Sequence, residues 1–358
     1  MANPERKTRE PTAGRGRGHG RPTLATVATA AGVTAMTVSR YLRGRDAVAP
    51  ATAARIDAAL TSTGYTPNKH AGMLASGRSN IVAAIVPSIA NSNFSVTLQG
   101  LSHALQHAGM ELLLASTDYS LAREEQQLRA VLGWSPSGLV VTGCRHSPAS
   151  RALMRRAQAT GMPVLEMWDH NPRDKQFVQV GFGHAAVGRM MAQHLLQRGY
   201  RDLGYVDSGV AQDFRAHQRA SGFAAAARAA GVPCRLFAAP QIEAMAAGRD
   251  AFATVAQAAL PRALAFASDN LAAGALLCAR GAGLRIPTQL AFLGFGDQPV
   301  AAQLGLSTVS VAPYQIGAIC GQRLLRMLVD GGVRSGTVQT DESSTSLSAP
   351  ALLQRDSS

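Results

Sequence analysis

Residues 23–43 read Thr23-Leu24-Ala25-Thr26-Val27-Ala28-Thr29-Ala30-Ala31-Gly32-Val33-Thr34-Ala35-Met36-Thr37-Val38-Ser39-Arg40-Tyr41-Leu42-Arg43. Thr23 is a helix cap, and Leu24, Val27, Ala28 and Ala31 recur at helical spacing on one face, predicting a helix over 24–31. Gly32 supplies a turn and Val33 points inward. Thr34 caps a second helix over 35–42, with Val38 and Leu42 on the inner face and Ala35, Met36, Thr37, Ser39 and Arg40 left outside. A third helix starts at Pro50, a residue tolerated at the first helical position, and carries Ala54, Ile56 and Leu60 towards Gly64. Two short helices joined through a glycine turn and backed by a third make a helix-turn-helix, whose second helix enters the major groove of DNA.

The charge distribution agrees with a polyanion-binding head. The chain has 358 residues, a formal net charge of +13 and a pI near 10.5. Twelve of its 35 Lys and Arg and four of its 22 acids lie before residue 81, so that stretch carries +8 and the other 278 residues only +5. Six of those twelve basic residues precede Pro22 in a Gly-rich segment, read as a disordered basic arm. With 46% hydrophobic residues the chain is globular, with room for about two or three domains. No apolar run approaches a membrane span, and Met1–Arg21 has no apolar core of a secretory signal, so no membrane partner and a cytoplasmic location are expected. Cys144, Cys234, Cys278 and Cys320 are far apart, with neither zinc-site nor disulfide spacing. No metal and no cofactor are expected.

Side-chain chemistry assigns roles on the DNA. Arg40 is the candidate for bidentate reading of guanine. Thr34, Thr37, Ser39 and Tyr41 suit phosphate contacts, which position without specifying sequence. Thr23 is counted with them.

The runs Thr23 to Ala28, Ala31 to Thr34 and Thr37 to Arg40, with Gly64-Tyr65-Thr66-Pro67-Asn68 beyond, resemble the head of the lactose/galactose-repressor (LacI/GalR) family, and Gly32 to Arg43 resembles its gluconate-operon repressors. The resemblance implies that Ala35 and Met36 occupy the positions that discriminate sequence; both are apolar and suit thymine methyls rather than hydrogen bonding. It also implies that the segment after Pro67, with Asn68, Lys69 and Ala71, forms a hinge helix on DNA, and that Leu74 is the leucine that wedges into the minor groove. Ala49 departs from the family's Ser or Thr cap before Pro50, weakening that helix start by about 1 kcal/mol.

Beyond Asn80, apolar runs alternate with amphipathic stretches. Ile81–Val86, Met110–Ala115, Gly138–Thr142, Met162–Met167, Leu203–Val206, Ala263–Ala267 and Leu290–Phe295 read as strands, and Val96–Ala108, Arg123–Leu132, Ala185–Arg198 and Leu271–Arg280 as helices between them. The expected fold class is therefore α/β: parallel sheets in two lobes resembling periplasmic sugar-binding proteins, behind the helix-turn-helix head, with ligand at the strand ends between the lobes. The expected boundaries are an arm over 1–20, the head over 21–66, a hinge helix or linker over 67–79, and an effector-binding and dimerisation domain over 80–350. Within it, lobe 1 takes about 80–180 and 310–338, and lobe 2 about 181–309 and 339–350.

Strand-end residues supply the cleft candidates. Phe94 can stack on a ligand and reads equally well as a core aromatic; Asp118 and Asp169 can accept from hydroxyls, though Asp118 reads equally well as a helix cap. Arg215 and Arg219, four apart on one helix face, suit a carboxylate. The family resemblance extends through Pro163 to Asp169, Val180-Gly181-Phe182, Gly222-Phe223, Ser268 to Gly274 and Gly294-Phe295, and through Thr142 with His146-Ser147-Pro148 for the gluconate repressors. It implies effector roles for Arg219, His146 and Asp269. Gly296 stands where sugar- and purine-binding relatives carry an aspartate, which favours a linear polyhydroxy acid over a neutral pyranose.

The expected function is a homodimeric repressor that binds a pseudo-palindromic double-stranded DNA operator and is released by a small gluconate-like sugar acid. A regulator of the same kind that uses a neutral sugar or acts by corepression is the alternative. A sugar-acid enzyme is disfavoured, because no nucleophile-base pair, metal spacing or phosphate loop stands out, and catalytic residues are expected to be absent. A solute-binding module with a nonspecific basic tail is disfavoured by the Thr34 to Arg40 motif and Leu74. No heptad repeat follows Gly336, so a dimer is preferred.

Overall fold

The computed structural model describes residues 22–66, 79–240, 243–330 and 349–358. The chain divides into two compact units, one ending at Arg78 and one beginning at Ser79. The expected arm, the hinge residues Asn68, Lys69, Ala71 and Leu74, and most of the segment after Gly336 lie outside the described residues.

The head consists of α1 (Leu24–Ala31), α2 (Ala35–Arg43), a single 3-10 turn (Arg45–Ala47) and α3 (Pro50–Thr63). Thr23 and Thr26 cap α1 reciprocally, each hydroxyl accepting the other's backbone N–H. The Thr34 hydroxyl accepts from Thr37 N at 3.2 Å. Gly32 ends α1 in the left-handed region at φ 62°, a conformation glycine adopts without steric cost. Arg55 of α3 donates to the carbonyls of Ala31 and Gly32 and so pins the turn to the third helix. Val27, Val38 and Ile56 are fully buried at the centre. Ala49 makes no side-chain cap bond.

The body holds two sheets. In lobe 1 the strands are β1 (Ile81–Val86), β2 (Glu111–Ser116), β3 (Gly138–Thr142), β4 (Val164–Asp169) and β5 (Val178–Phe182), all parallel in the order β2-β1-β3-β4-β5. Its helices are α4 (Ser92–Gln106), α5 (Leu121–Leu132) and α6 (Pro148–Ala159). Covered on both faces, its central strands are buried along almost their whole length.

The chain then passes to lobe 2 through α7 (His184–Gln197). Strands β6 (Leu203–Asp207), β7 (Cys234–Ala238), β8 (Ala263–Phe266), β9 (Ala291–Phe295), β10 (Ser307–Ser310) and β11 (Ala351–Leu353) lie in the order β11-β10-β9-β8-β6-β7, with only β11 antiparallel. Helices α8 (Phe214–Ala229), α9 (Ala244–Gln257), α10 (Asp269–Gly281) and the short α11 (Pro299–Leu304) connect them. The next helix, α12 (Pro313–Val329), returns to lobe 1 and packs along α4. Gly100 and Gly317 permit that approach, because a Cβ at either would collide with backbone of the other helix.

Four strands escape a search for apolar runs. β5 is interrupted by Gln179 and Gly181, β11 has three residues, β7 is an edge strand with exposed positions, and β10 is Ser-Thr-Val-Ser. Lobe 2 also extends past residue 350, where the sequence reading ends it. The Ser357 hydroxyl donates to Phe292 O and accepts from Ser307 N, and Ser358 is buried against His194 at 2.8 Å.

Candidate functional site

On the head, α2 presents an exposed face. Ala35, Met36 and Arg40 are exposed, Met36 at 70%, while Thr37 and Ser39 are half-buried. An exposed methionine on a helix whose inner face is already filled is available to a partner. Tyr41 departs from expectation. It is buried in the head core, and its hydroxyl donates to Asp57, which also accepts from Arg45 at 2.6 Å. One residue further round the helix than Arg40, it faces α3 rather than solvent, so its hydroxyl is spent inside the fold. The Asp57 bond, then burial, raise its pKa.

In the body, the carboxyl ends of both sheets face a cavity of about 410 Å³ between the lobes, within the usual range for small-ligand sites. Phe94, in the first turn of α4, is 4% exposed and meets Trp168 edge to face at 5.3 Å. Arg215 and Arg219 enter from α8, with the Arg215 guanidinium 5.7 Å from the Phe94 ring centre.

Arg219 is only 5% exposed and lies 3.9 Å over the Phe295 ring. Its Nη atoms donate to His184 Nδ1 at 3.0 Å and to Ala267 O at 3.1 Å, both neutral acceptors, and its buried Nε has no partner among the described residues. The two acids of the cavity wall are spent elsewhere. Asp213 accepts from Ala216 N, and Glu243 from Met245 N and Ala246 N, so both cap their own helices.

Asp169 stands one step behind the wall. Its carboxylate accepts from Cys144 N at 3.1 Å and lies 3.2 Å from His184 Nε2 and 3.9 Å from Arg215. Burial opposes its ionisation, but the close approach of His184 and the Arg215 charge outweigh it and hold the carboxyl at about 2.

Three expected cleft residues lie away from the wall. Asp118 is exposed and pairs with Arg123. His146 is enclosed between Glu124 Oε1 at 3.0 Å and Glu166 Oε1 at 3.3 Å. Two carboxylates from α5 and β4 capture its ring before it can reach the cleft. Asp269 is fully buried at the start of α10, accepting from Thr308 Oγ1 at 2.6 Å and Gln298 N at 2.7 Å. It ties α10 to β10 and α11; burial raises its pKa to about 6.

The structure adds Asn91, Asn93, Tyr119, His184, Asn270 and Gln298 to the wall. Asn91 and Asn93 directly precede Phe94 after β1, so the strand-end argument that found Phe94 covers them too. His184 follows β5 by two residues, but β5 is not legible as an apolar run, so the argument does not reach it. Gly296 acquires a steric reason: at φ 120°, a Cβ there would stand 2.8 Å from both amide atoms of Asn93. The neighbouring Asp297 accepts from Arg355 at 2.8 Å.

A helix-turn-helix joined to a two-lobed binding body defines a DNA-binding transcriptional regulator. The sequence model for bacterial regulatory proteins of the lacI family matches residues 23–68, and that for a periplasmic binding protein-like domain matches residues 192–358. The HTH-type transcriptional regulator GntR of Pseudomonas aeruginosa is 35% identical over 325 residues, covering 89% of this chain and 93% of that protein. GntR of Escherichia coli is 29% identical over 309 residues, 85% of this chain and 91% of that one. The crystal structure of a LacI-family transcriptional regulator from Silicibacter pomeroyi aligns with a TM-score of 0.82 at 34% identity, over 94% of this chain and 99% of the other. The chain belongs to the LacI family of bacterial transcription regulators.

Proposed function

We propose that this regulator is a cytoplasmic repressor that binds a pseudo-palindromic operator as a homodimer and releases it when a small sugar acid of the gluconate type enters the cleft. The observation that carries the acidic ligand is Arg219. A buried guanidinium bonded only to neutral acceptors is costly, and a ligand carboxylate beside Arg219 and Arg215 offsets that cost. Phe94 and Trp168 offer an aromatic wall to the carbon chain, and Asn91, Asn93, Asn270 and Gln298 offer amides to its hydroxyls. On the DNA side, Arg40 reads a base edge, Ala35 and Met36 shape the fit, and Thr23, Thr34, Thr37 and Ser39 hold phosphates. Asn68, Lys69, Ala71 and Leu74 belong to the hinge in this reading. Two heads related by a two-fold axis match the two halves of a pseudo-palindrome.

The test is displacement from DNA upstream of the chain's own gene. Gluconate and related aldonates should release the protein, and glucose at the same concentration should not. Binding of the neutral sugar alone would refute the acidic ligand; tighter DNA binding with an aldonate would replace release by corepression.

A further inference from the structure

His184 opens α7, at the point where the chain crosses from lobe 1 to lobe 2. It is 2% exposed and lines the cleft. Its Nδ1 lies 3.0 Å from Arg219 Nη1, and its Nε2 lies 3.2 Å from both Trp168 O and Asp169 Oδ1. Arginine has donors and no acceptor, so Nδ1 must be the lone-pair nitrogen and Nε2 must carry the proton. The ring is therefore neutral in a single tautomer, accepting from lobe 2 and donating to lobe 1.

The surroundings hold it there. Phe182 packs on the ring with centroids 4.6 Å apart. On the lobe 1 side, Trp168 has φ 77°, uncommon for a bulky residue, and its indole N–H donates to Thr97 at 3.2 Å. Gly181 allows the ends of β4 and β5 to close up, since a Cβ there would overlap Trp168 and Asp169 backbone.

We infer that His184 is a positioning residue that couples the cleft to the crossover between the lobes: its imidazole links the ligand-facing guanidinium of Arg219 in lobe 2 to the end of β4 in lobe 1. This rests on the acid-binding reading of the cleft. A ligand that fixes Arg219 fixes the acceptor side of the ring, and a rotation between lobes must stretch or break one of its two bonds. Occupancy and lobe arrangement thereby share one set of hydrogen bonds, the differential contact that ligand-driven switching needs.

Two measurements on the full chain test this. Nitrogen-15 spectra of the histidine side chains, with His184 assigned by loss of its signals in His184→Phe, should show a neutral ring protonated at Nε2 without any ligand; an imidazolium or the Nδ1–H form would overturn the proposal. The second measurement is the ratio of operator affinities without and with saturating gluconate, read by fluorescence anisotropy, alongside calorimetry of gluconate binding. His184→Phe keeps the ring volume and removes both bonds. It should lower that ratio by about tenfold, within the usual range of coupling factors, at gluconate concentrations raised until calorimetry shows the variant saturated. His184→Gln, with one acceptor and one donor, should recover most of the ratio. An unchanged ratio in His184→Phe, or loss of gluconate binding altogether, would overturn the coupling role. If the unmodified chain binds no aldonate, the acid-binding reading fails, and the nitrogen spectra still decide the tautomer and with it the relay.

Discussion

His146 sits with no exposed side-chain surface between Glu124 and Glu166, both nearly or fully buried. Burial works against its charged form, but the hydrogen bond from Nδ1 to Glu124 and the Glu166 carboxylate 3.3 Å from Nε2 overcome it and raise the pKa from 6.5 to about 9. A group whose folded pKa lies above its unfolded one stabilises the fold fully below the unfolded value and loses that contribution as pH rises through the folded value. The window here runs from 6.5 to about 9. The difference is worth about 3 kcal/mol at pH 6 and little above pH 9. A body of this size should therefore melt roughly 5–10 °C lower at pH 9.5 than at pH 6 from this group alone.

His146→Gln retains a hydrogen-bonding side chain without a titrating ring. It should be less stable than wild type at pH 6 and should close most of that gap by pH 9.5. Glu124→Gln removes one of the two carboxylates and should move the loss to lower pH. Thermal or urea unfolding at four pH values, followed by far-ultraviolet circular dichroism, reads all three proteins. Parallel stability curves for wild type and His146→Gln from pH 6 to 9.5 would refute the reasoning, since the ring would then not titrate between the two glutamates.

Arg219→Met retains apolar contact with Phe295 and removes the charge. Calorimetry should show aldonate affinity down by roughly 10–100-fold, the loss of one or two charge-assisted bonds, and unchanged affinity would exclude Arg219 as the anchor. Arg40→Ala should cost about 1–3 kcal/mol at the operator and relax preference at one base pair, with much smaller loss on random DNA; equal losses on both would make Arg40 a phosphate contact. Tyr41→Phe should destabilise the head by about 1 kcal/mol in thermal melts through the bond to Asp57, and leave affinity for random DNA unchanged. A fall in that affinity without a change in melting would return Tyr41 to the DNA surface.

Local pattern carried much of this molecule. Thr23 and Thr34 as caps, Gly32 as a left-handed turn and the inward faces of α1 to α3 all depend on neighbours a few residues away, and periodicity reports those directly. The central parallel strands are legible for the same reason, because burial on both faces makes them continuous apolar runs. Strand-end position then led to Phe94, and the four-residue spacing to Arg215 and Arg219, all of which line the cleft.

What escaped the sequence depends on partners far away in the chain. His146 follows a strand, as a ligand-binding residue would, yet carboxylates 22 and 20 residues distant capture it. Asp269 starts a helix near the cleft but is held by Thr308, 39 residues on. Tyr41 lies one position from Arg40, and a core with α3 turns it inward. His184 stands at the end of a strand that the sequence does not reveal, and its role comes from Arg219 and Asp169, brought to one point by two different lobes. The sequence by itself determined the three helices of the head and the buried central strands of the body, because hydrophobic period and caps act over single turns. Only the tertiary structure decided which charged and polar groups meet, because hydrogen bonds form between atoms about 3 Å apart, a distance that spacing along the chain does not encode.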